Sequence, residues 1–332
     1  MHLLEQTLWH PVMASAELAD FPIAVHLLGT ELVLWKDKQG AAHAWADRCP
    51  HRGAKFSLGR VSGDRLECGY HGWQFSASGQ CTLVPALPAF QPPASHCATV
   101  YELREAYEML WVRLEKSQST IPAFAAEEDT RLRKVNCGPY FVQTSAPRIV
   151  ENFLDMSHFG FVHEGWLGDR DHTAMLDYEV QKTATGILAT RCQAWQPKSN
   201  LHSETGSMVD YTYEVNAPFT CILTKAPDPA TLQKHLADKE NFRESIALFV
   251  CPITPETSRV WIRMAMTDFE SPDSALQNFQ NTIFGQDQPV LESQSPKRLP
   301  LDLRAELHTV ADKASSAYRR YLNDLGITFG VC

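Results

Sequence analysis

No apolar run in this chain of 332 residues is long enough to span a bilayer. The opening residues, Met1-His2-Leu3-Leu4-Glu5-Gln6, lack a basic flank and a long apolar core, so no secretory signal and a cytoplasmic location are expected. Positive charge is scarce. Thirty Lys and Arg against 39 Asp and Glu leave a formal charge of −9, which argues against nucleic acid or an anionic membrane as partner. No segment repeats at a fixed period and none is low-complexity. No G-x-G-x-x-G follows a strand-like run, and no flavin motif appears, so the chain is not expected to take hydride from a nicotinamide itself. Its nine cysteines lack a compact repeated spacing, which disfavours a disulfide framework. What remains, 44% hydrophobic and 21% charged, suits two globular domains with real cores.

The first third reads as β-structure. Alternation over 31–35, a turn at Asp37-Lys38-Gln39-Gly40 and a return over 41–46 predict a hairpin. Short strands are expected at 65–68, 73–75 and 109–114, with turns at Gly63-Asp64 and Ser78-Gly79. No long helical pattern interrupts them, so residues 1–117 are expected as an N-terminal all-β domain. Two of its loops read Cys49-Pro50-His51-Arg52-Gly53 and Cys68-Gly69-Tyr70-His71-Gly72-Trp73, together C-x-H-x16-C-x2-H. A Cys2His2 set suits zinc or an iron–sulfur centre. A zinc finger groups its cysteines together and its histidines together. Here each loop offers one of each, as a Rieske [2Fe–2S] cluster needs, with Cys49 and Cys68 on one iron and His51 and His71 on the other. Gly53, Gly69 and Gly72 allow the backbone to approach such a cluster. The other seven cysteines read as small packed hydrophobes.

A polar, Ser-rich stretch over 116–120 followed by Ile121-Pro122 marks the boundary, and 118–332 is expected as a second domain. Its centre is Glu151-Asn152-Phe153-Leu154-Asp155-Met156-Ser157-His158-Phe159-Gly160-Phe161-Val162-His163. A helix is expected to begin near Ser145 and Pro147, with Asn152, Asp155 and His158 sharing one face. A break at Gly160 would then bring His158 and His163 to one point. Two neutral imidazoles plus a distant carboxylate form the facial triad of non-haem Fe(II) oxygenases. A zinc hydrolase site uses such a pair as well, and so do ordinary packed histidines. Strand-like segments at 176–183, 186–194, 208–215, 220–225, 245–252 and 259–267 predict a curved antiparallel sheet with helices against it, an α+β arrangement. Leu303, Leu307, Val310, Ala314, Ala317, Tyr321 and Leu325 recur at helical spacing, and Gly326 ends that helix. Phe159, Phe161, Phe219, Phe249 and Trp261 are candidates to line an apolar substrate cavity, but large aromatics are more often core and they are read as core.

On its Cys-Pro-His-Arg-Gly and Cys-Gly-Tyr-His-Gly-Trp loops, the chain resembles the terminal oxygenase alpha subunit of Rieske non-haem iron oxygenases, over nearly its full length. Respiratory Rieske proteins carry an extra cysteine in each loop, and this chain carries none there. The resemblance implies two cofactors: a Rieske [2Fe–2S] cluster for single-electron transfer and a mononuclear Fe(II) for O2 chemistry. It implies that Asp287, just before a helix expected near Pro289, joins His158 and His163 as a metal ligand. Glu292 is the competing carboxylate, and plain helix capping is the other reading of Asp287. It also implies that Asp155 links His158 to a cluster histidine, His71 of a neighbouring chain, through a carboxylate oxygen left free for a second donor. Asn152, one turn earlier, is grouped with Asp155 as catalytic. The implied partners are a separate NAD(P)H-dependent reductase or ferredoxin, O2 and a small organic substrate. Within the family the chain is similar to one-subunit vanillate and dicamba O-demethylases and, over 152–168 and Gly168-Asp169-Arg170, to guanidinium-alkaloid hydroxylases. That implies a homotrimer and a monooxygenase that hydroxylates or oxidatively demethylates. The alternatives are an arene dihydroxylating dioxygenase and a Rieske electron carrier without oxygenase activity.

Overall fold

The computed structural model describes residues 3–233 and 242–332. It divides into two compact units, Met1–Ile121 and Pro122–Cys332. In the first unit, a six-stranded antiparallel sheet runs in the order His10–Ala14, Met109–Arg113, Val100–Ala106, Ala42–Ala46, Thr30–Lys36, Ile23–Leu27. The turn between its predicted hairpin strands is held by Asp37, whose Oδ1 accepts from the amides of Gln39 and Ala41 at 2.9 Å each. A second sheet of four short strands (Arg60–Ser62, Arg65–Glu67, Gln74–Ser76, Cys81–Leu83) carries the second Cys/His loop between its middle two. Trp35, Trp45, Phe56 and Phe75 are fully buried and meet edge to face, Trp45 and Phe56 with ring centroids 5.5 Å apart.

The second unit is built on one seven-stranded antiparallel sheet, in the order Arg133–Val142, Thr257–Met266, Glu244–Thr254, Thr220–Ala226, Ser207–Ala217, Ile187–Gln196, Glu179–Lys182. Its edge strand Arg133–Val142 has no counterpart in the sequence reading. Gly138 and Pro139 interrupt its pattern, and the register slips between Cys137 and Tyr140. At the other edge the strand expected over 176–183 shortens to Glu179–Lys182.

Helices cover this sheet. Helix α1 (Ala146–Leu154) starts as expected, with the Ser145 hydroxyl accepting from the Arg148 amide and Pro147 in the first turn. It stops at Leu154, before Asp155 and His158, so these two do not ride on it with Asn152. A single turn follows as α2 (Phe159–Val162), then α3 (Asp273–Ser293) and α4 (Lys313–Leu325). Asp287 lies inside α3 and not ahead of a helix, because α3 continues through Pro289, which forgoes only the one amide bond to the Gly285 carbonyl. The C-terminal helix begins ten residues later than its apolar period suggests. Leu307 and Val310 are exposed, and the Thr309 and Asp312 side chains cap the turn that precedes α4 reciprocally. The face α4 buries is Ala314, Tyr318, Tyr321 and Leu322, and Gly326 ends it in the left-handed region at φ 75°. Four charges tie α4 to α1. The Arg319 guanidinium donates to both oxygens of Glu151, and Glu306 accepts from Arg148 and Arg319. Among the described residues no helix is long and apolar enough to cross a membrane.

Candidate active site

The two Cys/His loops of the first unit share one backbone template. Cys49 donates its amide to Ala54 O five residues on, and Gly53 returns an amide to Cys49 O. Cys68 and Gly72 repeat both bonds, with Trp73 O in place of Ala54 O. The glycine four residues after each cysteine has positive φ, 74° at Gly53 and 67° at Gly72, which explains its place in both loops. Both cysteines are buried, and the His51 and His71 rings lie with centroids 4.7 Å apart. Burial, reinforced by the neighbouring Cys68 thiol, pushes the Cys49 thiol up to about 12. Such a buried thiol ionises only where a cation offsets the charge. The four donors do not gather on one point as a single zinc ion demands. Among the described residues, only His158, His163 and Asp287 bring three donor atoms within 4.8 Å of one another. Spread donors of two kinds fit a binuclear cluster.

In the second unit the chain turns at Asp155, not at Gly160. Asp155 is extended (φ −88°, ψ 133°), and its Oδ1 accepts from the Ser157 amide at 2.8 Å and hydroxyl at 2.6 Å. This local bond competes with the helix and ends α1. The oxygen expected to be free is thereby taken. Its Oδ2 accepts from His158 Nδ1 at 2.9 Å. Burial raises the Asp155 carboxyl, but His158 and the two Ser157 donors outweigh it and hold the group below the usual carboxylate range. Gly160 serves a different purpose from the one expected. A Cβ there would stand 2.5 Å from Asp169 O, and one on Gly168 would stand 2.6 Å from Gly160 N. The two glycines let the 164–169 segment lie directly on the turn that carries both histidines.

His163 is oriented from the far side by α3. Its Nδ1 donates to Gln286 Oε1 at 2.9 Å. With each Nδ1 proton committed to an oxygen, each Nε2 presents a lone pair, and the two nitrogens face one another at 3.2 Å. Asp287 Oδ1 lies 3.4 Å and 3.3 Å from them and has no hydrogen-bond partner among the described residues. Two facing lone pairs and an orphaned carboxylate oxygen repel one another unless a cation sits between them, so the set fits a divalent metal. Glu292 is not brought to this point. Its Oε1 accepts from Gln288 Nε2 at 2.9 Å and from the Gln143 amide at 3.0 Å.

The triad opens on a cavity between the helices and the inner face of the sheet. Asn152 and Phe159 line it, and the Asn152 side chain takes no part in the bonds above. Phe219, Phe249 and Trp261 are core residues away from it, and Phe161 is exposed. Sequence reasoning missed Gln286, whose only sequence signal is its place beside Asp287. It also missed the polar wall of the cavity, Lys225 and Glu244, detectable as charges at inward positions of otherwise apolar strands.

Residues 8–102 match the Rieske [2Fe-2S] domain and residues 142–326 the vanillate O-demethylase oxygenase C-terminal domain. The chain belongs to the Rieske non-haem iron oxygenases. It is 34% identical over 326 residues to methylxanthine N1-demethylase NdmA of Pseudomonas putida, covering 96% of this chain and 88% of that one. The solved NdmA structure superposes with a TM-score of 0.82 at 32% identity, over 96% and 90% of the two chains. Dicamba monooxygenase bound to dicamba shares the fold, with a TM-score of 0.78 at 21% identity over 98% of each chain. A segment of 116 residues, 34% of this oxygenase, is 36% identical to 20% of the oxidoreductase NdmD of Pseudomonas putida. The oxygenase is thus a terminal component. It uses a Rieske [2Fe–2S] cluster and mononuclear iron, with O2 and electrons from a separate reductase, to hydroxylate or oxidatively demethylate a small organic substrate.

Proposed function

We propose that this oxygenase catalyses oxidative N-demethylation of a small N-methylated heterocycle. The observation that carries the reading is the convergence of His158, His163 and Asp287 on one wall of a mostly apolar cavity. The N-demethylase relatives supply the choice of bond. In our reading His158 and His163 hold Fe(II) through Nε2 and Asp287 through Oδ1, while Cys49, Cys68, His51 and His71 hold the cluster. Residues 1–117 then form the cluster domain and 118–332 the catalytic domain. Bound iron supplies O2 activation.

The chain's own residues supply the rest. Asp155 and Gln286 fix both imidazoles in the tautomer that offers Nε2. Aliphatic and aromatic walls hold the methyl group near the triad and keep bulk water out. The reaction balances as one O2, two electrons and two protons per methyl group. A C–H bond becomes C–OH, the second oxygen atom leaves as water, and the N–CH2OH product splits to N–H and formaldehyde. We also assign Asp155 the linking of His158 to the cluster of a neighbouring copy, through the second lone pair of Oδ2, since Oδ1 is taken by Ser157. This requires a homotrimer or another closed ring, and we place the complex in the cytoplasm with an NAD(P)H-dependent reductase or ferredoxin.

The test is turnover with a surrogate reductase on paired N-methyl heterocycles and O-methyl arenes, read as formaldehyde and as product mass. Formaldehyde equal to the N-demethylated product supports the reading. Products that keep their methyl group and gain oxygen, or formaldehyde from the ethers alone, overturn it.

A further inference from the structure

The inner face of the sheet is a grid of cross-strand rows. One row pairs Tyr211 with Lys225, Lys225 with Glu244 and Glu244 with Met266. The next pairs Tyr213, Leu223, Ile246 and Met264. Lys225 and Glu244 line the cavity and are only 6% and 7% exposed. The ammonium lies 2.8 Å from Glu244 Oε2 and donates to the Ser199 carbonyl, which leaves one of its three protons uncommitted. The carboxylate is thereby paired with the ammonium, and its oxygens keep lone pairs that this contact does not use. A buried ion pair needs further hydrogen bonds to offset its desolvation, and in a substrate cavity the substrate can supply them.

The other charges lining this cavity are already matched. Asp155 is bound to His158, Asp268 to His202 at 2.7 Å, and Asp287 would be matched by the metal that it and the two imidazoles would hold. A substrate carrying its own carboxylate or ammonium finds no unpaired counter-charge here, and its desolvation goes uncompensated. A neutral molecule with an N–H beside a carbonyl satisfies both halves of the pair. Its N–H donates to Glu244 and its carbonyl accepts from Lys225.

We propose that Lys225 and Glu244 are the specificity-determining pair of this oxygenase, selecting neutral lactam or imide heterocycles that present an N–H next to a C=O. The inference rests on the cavity being the substrate site. It goes further by naming the edge that is read and the side chains that read it.

The test uses holoenzyme under anaerobic conditions and two matched ligand pairs that differ by one N–H against N–CH3: theobromine with caffeine, and 1-methyluracil with 1,3-dimethyluracil. Dissociation constants are measured for the native chain and for the double variant Lys225→Met/Glu244→Leu, which removes both charges together and leaves neither stranded. In the native chain at least one N–H member binds ~10-fold or more tighter than its methylated twin. In the double variant that ratio falls to about one, while methylated-twin affinity, iron content and thermal midpoint stay within a few-fold or a few degrees. A pair that serves only to hold the strands together lowers the midpoint and leaves the ratio unchanged. That result overturns the proposal, as do equal affinities in the native chain or no binding of either N–H member. Formaldehyde release from any N-methyl compound is scored separately, so N-demethylation can stand while this selection rule falls.

Discussion

The two candidate metal sites are held in different ways. The Cys/His loops of the first unit are set by main chain: two equivalent pairs of amide–carbonyl bonds and a positive-φ glycine at the same offset in each. The His/His/Asp site of the second unit is set by side chains: Asp155 behind one imidazole, Gln286 behind the other, and a carboxylate delivered from a helix over 120 residues away in the chain. A main-chain template is written locally and tolerates side-chain changes outside its ligands and glycines. A side-chain template distributes its geometry over residues that can each be removed without unfolding the unit.

That contrast can be broken at its strongest point by the ligands. His158→Ala, His163→Ala or Asp287→Ala is expected to remove mononuclear iron and cut turnover at least about 10³-fold, which is ~4 kcal/mol of barrier, while the visible spectrum of the cluster persists. Cys49→Ser or Cys68→Ser is expected to do the reverse, bleaching the spectrum while one iron per chain remains. Iron analysis and visible absorbance decide both. If Asp287→Ala keeps full iron, the third ligand lies elsewhere.

Asp155→Asn sharpens the comparison, since it alters a charge and leaves both metal sets intact. Steady turnover is expected to fall ~10²-fold with iron content preserved. In a single turnover of pre-reduced protein the cluster is expected to stay reduced with substrate and O2 present. Normal coupled oxidation would reduce Asp155 to a holder of His158. Gln286→Leu is a milder break on the other imidazole, expected to weaken iron retention about 10–100-fold in a chelator titration without changing the cluster spectrum. Gly72→Ala tests the main-chain template. Its Cβ would meet Pro85 Cγ at 3.2 Å in a left-handed backbone, and a loss of about 1–2 kcal/mol from the first unit's stability is expected in denaturant titration.

The smallest effect concerns acid stability of the second unit. Burial raises the Glu306 carboxyl, but hydrogen bonds and charge from Arg148 and Arg319 bring it down to about 2 from an ordinary value near 4.5. A depressed folded-state value contributes stability that is present above pH 4.5 and lost as the pH falls toward 2. Glu306→Gln is therefore expected to lower the thermal midpoint by a few degrees at pH 6 and to approach the native midpoint near pH 2. A midpoint difference that does not shrink with acid would assign the cluster a packing role only.

The main-chain template is also the part that sequence made legible. Cys, His and Gly recur at short spacing within each loop, so the four donors and the all-β setting can be read without tertiary structure. In the second unit the histidines and Asp155 were legible as residues but not as geometry. The turn falls at Asp155 because its carboxylate captures Ser157, a local competition that the three-residue periodicity of Asn152, Asp155 and His158 conceals. Asp287 could be named only through family resemblance, and its position inside α3 runs against the usual effect of Pro289. The edge strand Arg133–Val142 was hidden by Gly138 and Pro139, and the start of α4 by exposed leucine and valine that mimic a buried period.

Gly160 and Gly168 bear on how this oxygenase can be re-engineered. Each stands where a single added carbon would collide with main chain, and main chain cannot step aside as a side chain can. A combinatorial library aimed at new substrates can therefore vary cavity-lining positions of the sheet rows, changing Lys225 and Glu244 only together, while holding these two positions constant. Including them would fill the library with members whose imidazoles have been pushed apart, and a screen would score those as failures of recognition when the fault lies in the chassis.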